Sequence, residues 1–211
     1  MSRYRWQALA LGIGNVLWAD EGFGVRAVEA LNASYAFPEG VAVLDGGTQG
    51  IYLFDTIASA RCVVVLDAID FGLAPGTLRV FRDAEVPAWG ALKMSPHQTG
   101  FSEVLALAQL RGEAPQRVTL VGVQPENLND LGGSLGKAVK ARIPEAVDIA
   151  ARELAAWGYA GERRSPHTPV TPLNVAALAL DVYESGRPSE AQACRIGDPR
   201  VLTGARFHTD R

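Results

Sequence analysis

Residues 9–24 read LALGIGNVLWADEGFG. A short apolar run, Leu9 to Ile13, meets a Gly12-Ile13-Gly14-Asn15 turn, and the acids Asp20 and Glu21 stand just before an amphipathic segment. Strand, tight turn and helix in that order open an α/β sheet, in which ligands bind beyond the carboxyl ends of the strands. Three later stretches are candidates to meet the turn there: Leu44-Asp45-Gly46-Gly47, Leu66-Asp67-Ala68 and Ser95-Pro96-His97-Gln98. The residues to follow are therefore Glu21, Asp45, Asp67 and His97.

Outward from this unit, residues 23–35 place Val25, Val28, Leu31 and Tyr35 on one helical face, which predicts a crossover helix. Pro38 and Gly40 punctuate its end, residues 41–44 form a short strand, and a second helix is expected over 49–59. Cys62-Val63-Val64-Val65-Leu66 is the most continuous apolar run and predicts a central strand buried on both faces. The next connection, 67–77, has little room for a helix and contains Pro75-Gly76, while residues 78–82 alternate as a half-buried strand does. Parallel strands need a crossover of about a dozen residues, so this strand is expected to return antiparallel at an edge. Phe101, Val104, Leu105 and Ala108 share a stripe that predicts a third helix over 101–111, and 118–123 is the last clear strand. A helical region over 134–157 is expected to kink or restart at Pro144 and to be capped by Gly158.

The expected fold is thus α/β: a three-layer sandwich with a twisted, mostly parallel five-stranded sheet, one antiparallel edge strand and helices on both faces. Residues 1–164 read as a single domain. Residues 165–211, opening with Pro166, Pro169 and Pro172, read as a C-terminal extension with one helix over 173–183 and loose order after it.

A chain of 211 residues suffices for one ordinary core, and 48% hydrophobic with 20% charged residues is a normal globular composition. The formal charge of −3 excludes the electrostatic footprint of a non-specific nucleic-acid binder. No run approaches the roughly 18 apolar residues that cross a bilayer, and the interrupted N-terminal run makes a poor signal peptide. With only Cys62 and Cys194, a reducing cytoplasm is the expected setting, and a monomer the expected state.

Histidine supply limits the chemistry. His97 is the one histidine outside the extension, which holds His167 and His208, so a metal site in the domain must be mostly carboxylate. Glu21, Asp67 and His97 would form a mixed oxygen and nitrogen set of the kind that suits Zn²⁺ or Ni²⁺, with an open position for a substrate. Each residue also has a plain structural reading: acids before a helix favour its dipole, and Asp45 or Asp67 can stabilise a turn. Topology argues for more, because three acids on one rim repel unless a cation or basic group compensates. Two other motifs compete. Gly12-Ile13-Gly14 with Asp45 imitates a dinucleotide site but has Leu17 where the third glycine belongs. Gly132-Gly133-Ser134-Leu135-Gly136, with Asp148 and His167 following, imitates a serine-hydrolase elbow, yet Ser134 lies well past the strand end and reads better as a helix N-cap.

Taken in register, Gly12-Ile13-Gly14-Asn15, Asp20-Glu21-Gly22-Phe23-Gly24, Leu44-Asp45-Gly46-Gly47-Thr48, Asp67-Ala68-Ile69, Ser95-Pro96-His97-Gln98 and the stretch Leu120 to Glu126 resemble the [NiFe]-hydrogenase maturation endopeptidases. The resemblance runs from about residue 8 to 158. It implies a cytoplasmic endopeptidase, of the type classed as aspartyl, that removes a C-terminal extension from a hydrogenase large-subunit precursor once nickel is inserted. It further implies that Glu21, Asp67 and His97 contact the metal, that Asp45 serves activity or substrate recognition, and that the nickel arrives with the substrate. No organic cofactor, nucleic-acid partner or membrane partner is expected. A non-catalytic nickel-checking chaperone and a self-contained metallopeptidase are the alternative readings.

Overall fold

The computed structural model describes residues 3–86, 96–165 and 168–187, with the side chains of 96–100 outside that description. The apolar runs are strands: β1 (Ala8–Ile13), the two-residue β2 (Tyr35–Ala36), β3 (Val41–Gly47), β4 (Cys62–Ala68), β5 (Leu78–Arg82), β6 (Arg117–Val123) and the short β7 (Glu162–Arg163). The helices are α1 (Phe23–Ser34), α2 (Phe54–Ala58), α3 (Pro96–Leu110), α4 (Lys137–Lys140), α5 (Ile143–Ala156) and α6 (Leu180–Ser185). The main sheet has the order β3-β1-β4-β6-β5. β1 is parallel to β3 and β4, and β4 is parallel to β6, whereas β5 runs antiparallel to β6 at the edge, as the short 67–77 connection requires.

Strand alternation divides the core into two layers. Ala8 and Ala10 of β1, with Val64 and Leu66 of β4, pack on one face against Val28 and Leu31 of α1 and Ala150 and Leu154 of α5. Leu9 and Leu11, with Val63 and Val65, pack on the other against Ile57 of α2 and Phe101 and Val104 of α3. Every residue of β4 is buried, so this strand lies at the centre of three layers. Each such Val or Leu contributes about 1.5–3 kcal/mol on burial.

Local chemistry sets the helix ends. The stretch expected as a helix over 49–59 is a 3₁₀ turn, Gly50–Leu53, running into α2. α3 begins at Pro96 rather than near 101, because proline's fixed φ and missing N–H suit a first turn. The 134–157 region is two helices: Pro144 sits in the first turn of α5 and marks a restart. Gly158, at φ 93°, closes α5, with its N–H on the Ala155 carbonyl at 2.9 Å and that of Tyr159 on Leu154 at 2.9 Å. Over 173–183 the chain forms a 3₁₀ turn, Ala176–Leu178, followed by α6.

This topology positions a crevice. From β1 the chain moves outward to β3 on one side and then returns to β4 on the other, so β1 and β4 flank the switch point. α1 enters over that crevice at Gly24, where a Cβ would overlap the carbonyl oxygens of Ile13 in β1 and Leu66 in β4. Glycine lets the helix start directly on the two strand ends.

Candidate active site

Glu21 belongs to the 3₁₀ turn Ala19–Gly22 that joins β1 to α1. The turn folds back on the strand: the Asn15 N–H donates to the Glu21 carbonyl at 3.1 Å, and at Gly14, φ 138°, a Cβ would overlap that same oxygen. Glu21 is thereby held against the end of β1. Asp67 ends the apolar run of β4 and is 5% exposed, with Oδ1 accepting the N–H of Ala68 at 2.7 Å. Burial pushes its pKa well above the ordinary carboxylate value; the like charge of Glu21 pushes it further, and only the Ala68 N–H opposes the rise. The two carboxylates therefore interact across the crevice.

Asp20, next to Glu21, does a different job. It is fully buried, and its carboxylate accepts three backbone N–H groups: Glu126 at 2.8 Å and Asn127 at 2.9 Å on Oδ2, and Gly136 at 2.7 Å on Oδ1. These bonds fasten the loop after β6 to the turn after β1, reinforced by a bridge between Trp18 and Leu131. Gln124 organises the connection after β4 in the same manner, accepting from Phe71 N at 2.7 Å and Leu73 N at 3.1 Å while donating to Asp70 at 3.1 Å. Sequence reasoning grouped Asp20 with Glu21 and passed over Gln124. The available signal was position alone, directly beside a strand end.

Asp45 pairs with Gly12 across β1 and β3, just before a bulge that sets Ile13 against Gly47 and skips Gly46. Ala42 and Leu44 face the α2 and α3 layer, so alternation turns Asp45 to the α1 face, away from the face of Val63 and Val65 that Asp67 continues. Its Oδ1 accepts Gly47 N at 2.7 Å, and its Oδ2 accepts Asn174 Nδ2 at 2.7 Å. The structure thus brings Glu21 and Asp67 together and sets Asp45 apart on the same rim. His97 falls in the first turn of α3, the helix on the Asp67 face, and its side chain lies outside the described residues. Among the described residues no group of three or more His, Cys, Asp or Glu side chains is placed to hold a metal ion.

The two competing motifs do not form sites. The Gly14 turn is filled by the Glu21 backbone, and α1 starts only at Phe23, so no helix N-terminus receives a pyrophosphate. Ser134 is neither a nucleophile at a strand end nor the expected N-cap. β6 stops at Val123, the N-cap of α4 is Gly136, and Ser134 Oγ donates instead to Glu184 at 2.8 Å. His167 lies outside the described residues.

An acid-rimmed switch point on a sheet of this order, with the protein-family match over residues 25–153, places the chain in the hydrogenase maturation protease family. Relatives of known sequence agree. Hydrogenase expression/formation protein HupD of Thiocapsa roseopersicina is 53% identical over 205 residues, 96% of this chain and 93% of that protein. The hydrogenase 2 maturation protease of Escherichia coli is 45% identical over 141 residues, 66% of this chain and 85% of that protein. Among solved structures, the hydrogenase maturating endopeptidase HybD from Escherichia coli superposes with a TM-score of 0.71 at 42% identity, covering 75% of this chain and 98% of that one. A quarter of this chain thus has no counterpart in that structure, whereas the HupD match runs nearly end to end. The protein is a peptidase of this family, with its three-layer α/β fold.

Proposed function

We propose that this protein removes the C-terminal extension of a [NiFe]-hydrogenase large-subunit precursor after nickel insertion, docking on the precursor's nickel through Glu21, Asp67 and His97. The observation that supports this most is the Glu21 and Asp67 pair: two carboxylates at one switch point, one of them held well above its ordinary pKa chiefly by burial and further by the charge of the other, which a bound cation would stabilise in the charged form. Oxygen donors with an imidazole from α3 suit a divalent ion such as nickel. The ion belongs to the substrate in this reading. It is an address that fixes the scissile bond near the rim and supplies the proximity peptide hydrolysis needs.

Asp45 has a separate task on the opposite face of the rim. With Oδ1 and Oδ2 each held by one donor, its carboxylate has a fixed direction and is the candidate to act on the bound precursor, as general base or as a contact for the chain. A cytoplasmic setting completes the reading, and the free, buried thiol of Cys62 accords with it.

The test is to incubate the purified protein with nickel-loaded and nickel-free precursor and follow the precursor's mass. Loss of a C-terminal peptide from the loaded form alone is expected. Binding without a mass change would indicate a nickel-checking chaperone, and cleavage regardless of nickel a self-contained metallopeptidase.

A further inference from the structure

Residues 168–187 form a strap along α1. Asn32, Glu29 and Arg26 are spaced three apart and share one helix face, and each holds a successive piece of the strap. Asn32 Nδ2 donates to the Thr171 carbonyl at 2.9 Å, Glu29 Oε1 accepts Asn174 Nδ2 at 2.9 Å, and Arg26 Nη1 donates to the Leu178 carbonyl. Glu29 is itself fixed by Arg26, Nη1 to Oε2 at 2.9 Å. The far end is tied to α4 through Lys140 and Glu184 at 2.7 Å and to the loop after β6 through Arg187 and Asp130 at 2.9 Å.

Asn174 is where the strap reaches the sheet rim. Its amide nitrogen has two hydrogens and two acceptors, Glu29 Oε1 at 2.9 Å and Asp45 Oδ2 at 2.7 Å. The opposite orientation of the amide would point its oxygen at two carboxylates, so the chemistry fixes which end faces them. An aspartate in its place would have nearly the same shape but would face Glu29 Oε1 and Asp45 Oδ2 with a third carboxylate and no donor between them.

We propose that Asn174 is a positioning residue for Asp45. By filling the one Oδ2 bond while Gly47 fills Oδ1, it holds the carboxylate in the direction that processing uses, and the Arg26 and Glu29 pair anchors it from behind. This rests on the reading of Asp45 as a participant in processing.

The test uses full-length Asp45→Asn, Asn174→Ala and Asn174→Asp, each with the double variant Asp45→Asn/Asn174→Ala, in single-turnover processing of nickel-loaded precursor at several precursor concentrations. Thermal unfolding of each variant accompanies the kinetics. Expected is a loss of about tenfold or more on either Asn174 substitution, larger for Asn174→Asp, in the same parameter that Asp45→Asn changes, rate or half-saturating concentration. The double variant should be no worse than Asp45→Asn alone, because coupled residues are non-additive. Asn32→Ala, which cuts a different tie of the strap, should process normally. Wild-type processing by Asn174→Asp overturns the proposal, as does additivity in the double variant or an equal loss in Asn32→Ala, which would make the strap's attachment the cause. Normal processing by Asp45→Asn would sink the reading of Asp45 itself and the proposal with it.

Discussion

Glu21 and Asp67 face one crevice as like charges, Glu21 held by the turn after β1 and Asp67 buried at the end of β4. Asp67 has a raised pKa for two reasons, burial first and the charge of Glu21 after it. A carboxylate that binds its proton more tightly in the folded state contributes stability below its unfolded pKa, about 3.9, and loses it as pH rises through the folded value. The metal-free protein at neutral pH therefore carries a cost at this site. Asp67→Asn keeps an acceptor for Ala68 N and removes the charge. It should raise the melting temperature at pH 8 by about 2–4 °C or more, the effect of roughly 1 kcal/mol in a chain of this size. The gap should narrow toward pH 5, and processing should be lost. Melting curves across that range check it; a variant that melts lower throughout would contradict it.

Asp20 and Glu21 are adjacent but separable. Asp20→Ala removes the buried carboxylate that three partly buried N–H groups share and should cost about 1–3 kcal/mol, the range for a hydrogen-bonded charged group. Glu21→Gln should change stability little and abolish processing. Urea unfolding of both variants, with amide exchange over residues 126–136, separates a structural clamp from a functional acid.

At Gly24 a methyl group meets two backbone carbonyls that cannot move without shifting β1 or β4. Gly24→Ala should cost about 3 kcal/mol, the upper range for overpacking. Gly158→Ala meets no atom within 4 Å and has only to hold the left-handed conformation that Gly158 adopts, which costs about 1–2 kcal/mol. Denaturant midpoints should fall in that order.

Glu184 holds the far end of the strap, and its pKa is lowered chiefly by the hydrogen bond from Lys140, with Ser134 and the charges of Lys140 and Arg26 helping against burial. A depressed carboxylate contributes stability above its unfolded pKa, about 4.3, and loses it as pH falls through the folded value. Backbone amides of 180–187 should lose protection at pH below about 4 relative to pH 7, after correction for intrinsic exchange. Lys140→Ala should show the same loss at pH 7. Unchanged protection in both cases would mean that other contacts hold the segment.

Much of this was legible in one dimension. Val63, Val64 and Val65 in a row announced a strand buried on both faces, and Pro75-Gly76 in a short connection announced the antiparallel return of β5. The meeting of Glu21 with Asp67 followed from topology, since both stand at carboxyl ends of adjacent strands. What could not be read was which face Asp45 takes, because alternation along β3 is visible but its pairing with β1 and the bulge at Gly46 are not. Asn174 was invisible for a simpler reason: it acts on a residue 129 positions away. Ser134 shows the same limit, reading locally as a cap while its partner, Glu184, lies 50 residues on.

The strand order has a consequence for a chain being made. Among the described residues β5 pairs with β6 alone, yet β5 ends at Arg82 and β6 begins at Arg117, 35 positions later. At about 5–20 residues per second the ribosome leaves that gap open for about 2–7 s. During that interval residues 78–82 lack the strand they pair with. Arg79 and Arg82 are its two exposed positions, and charge on an unpaired edge is what discourages another chain from adopting it. The arginines of β5 thus suit an edge strand whose partner is made late, and in the folded protein Arg82 also pairs with Glu153 at 2.6 Å.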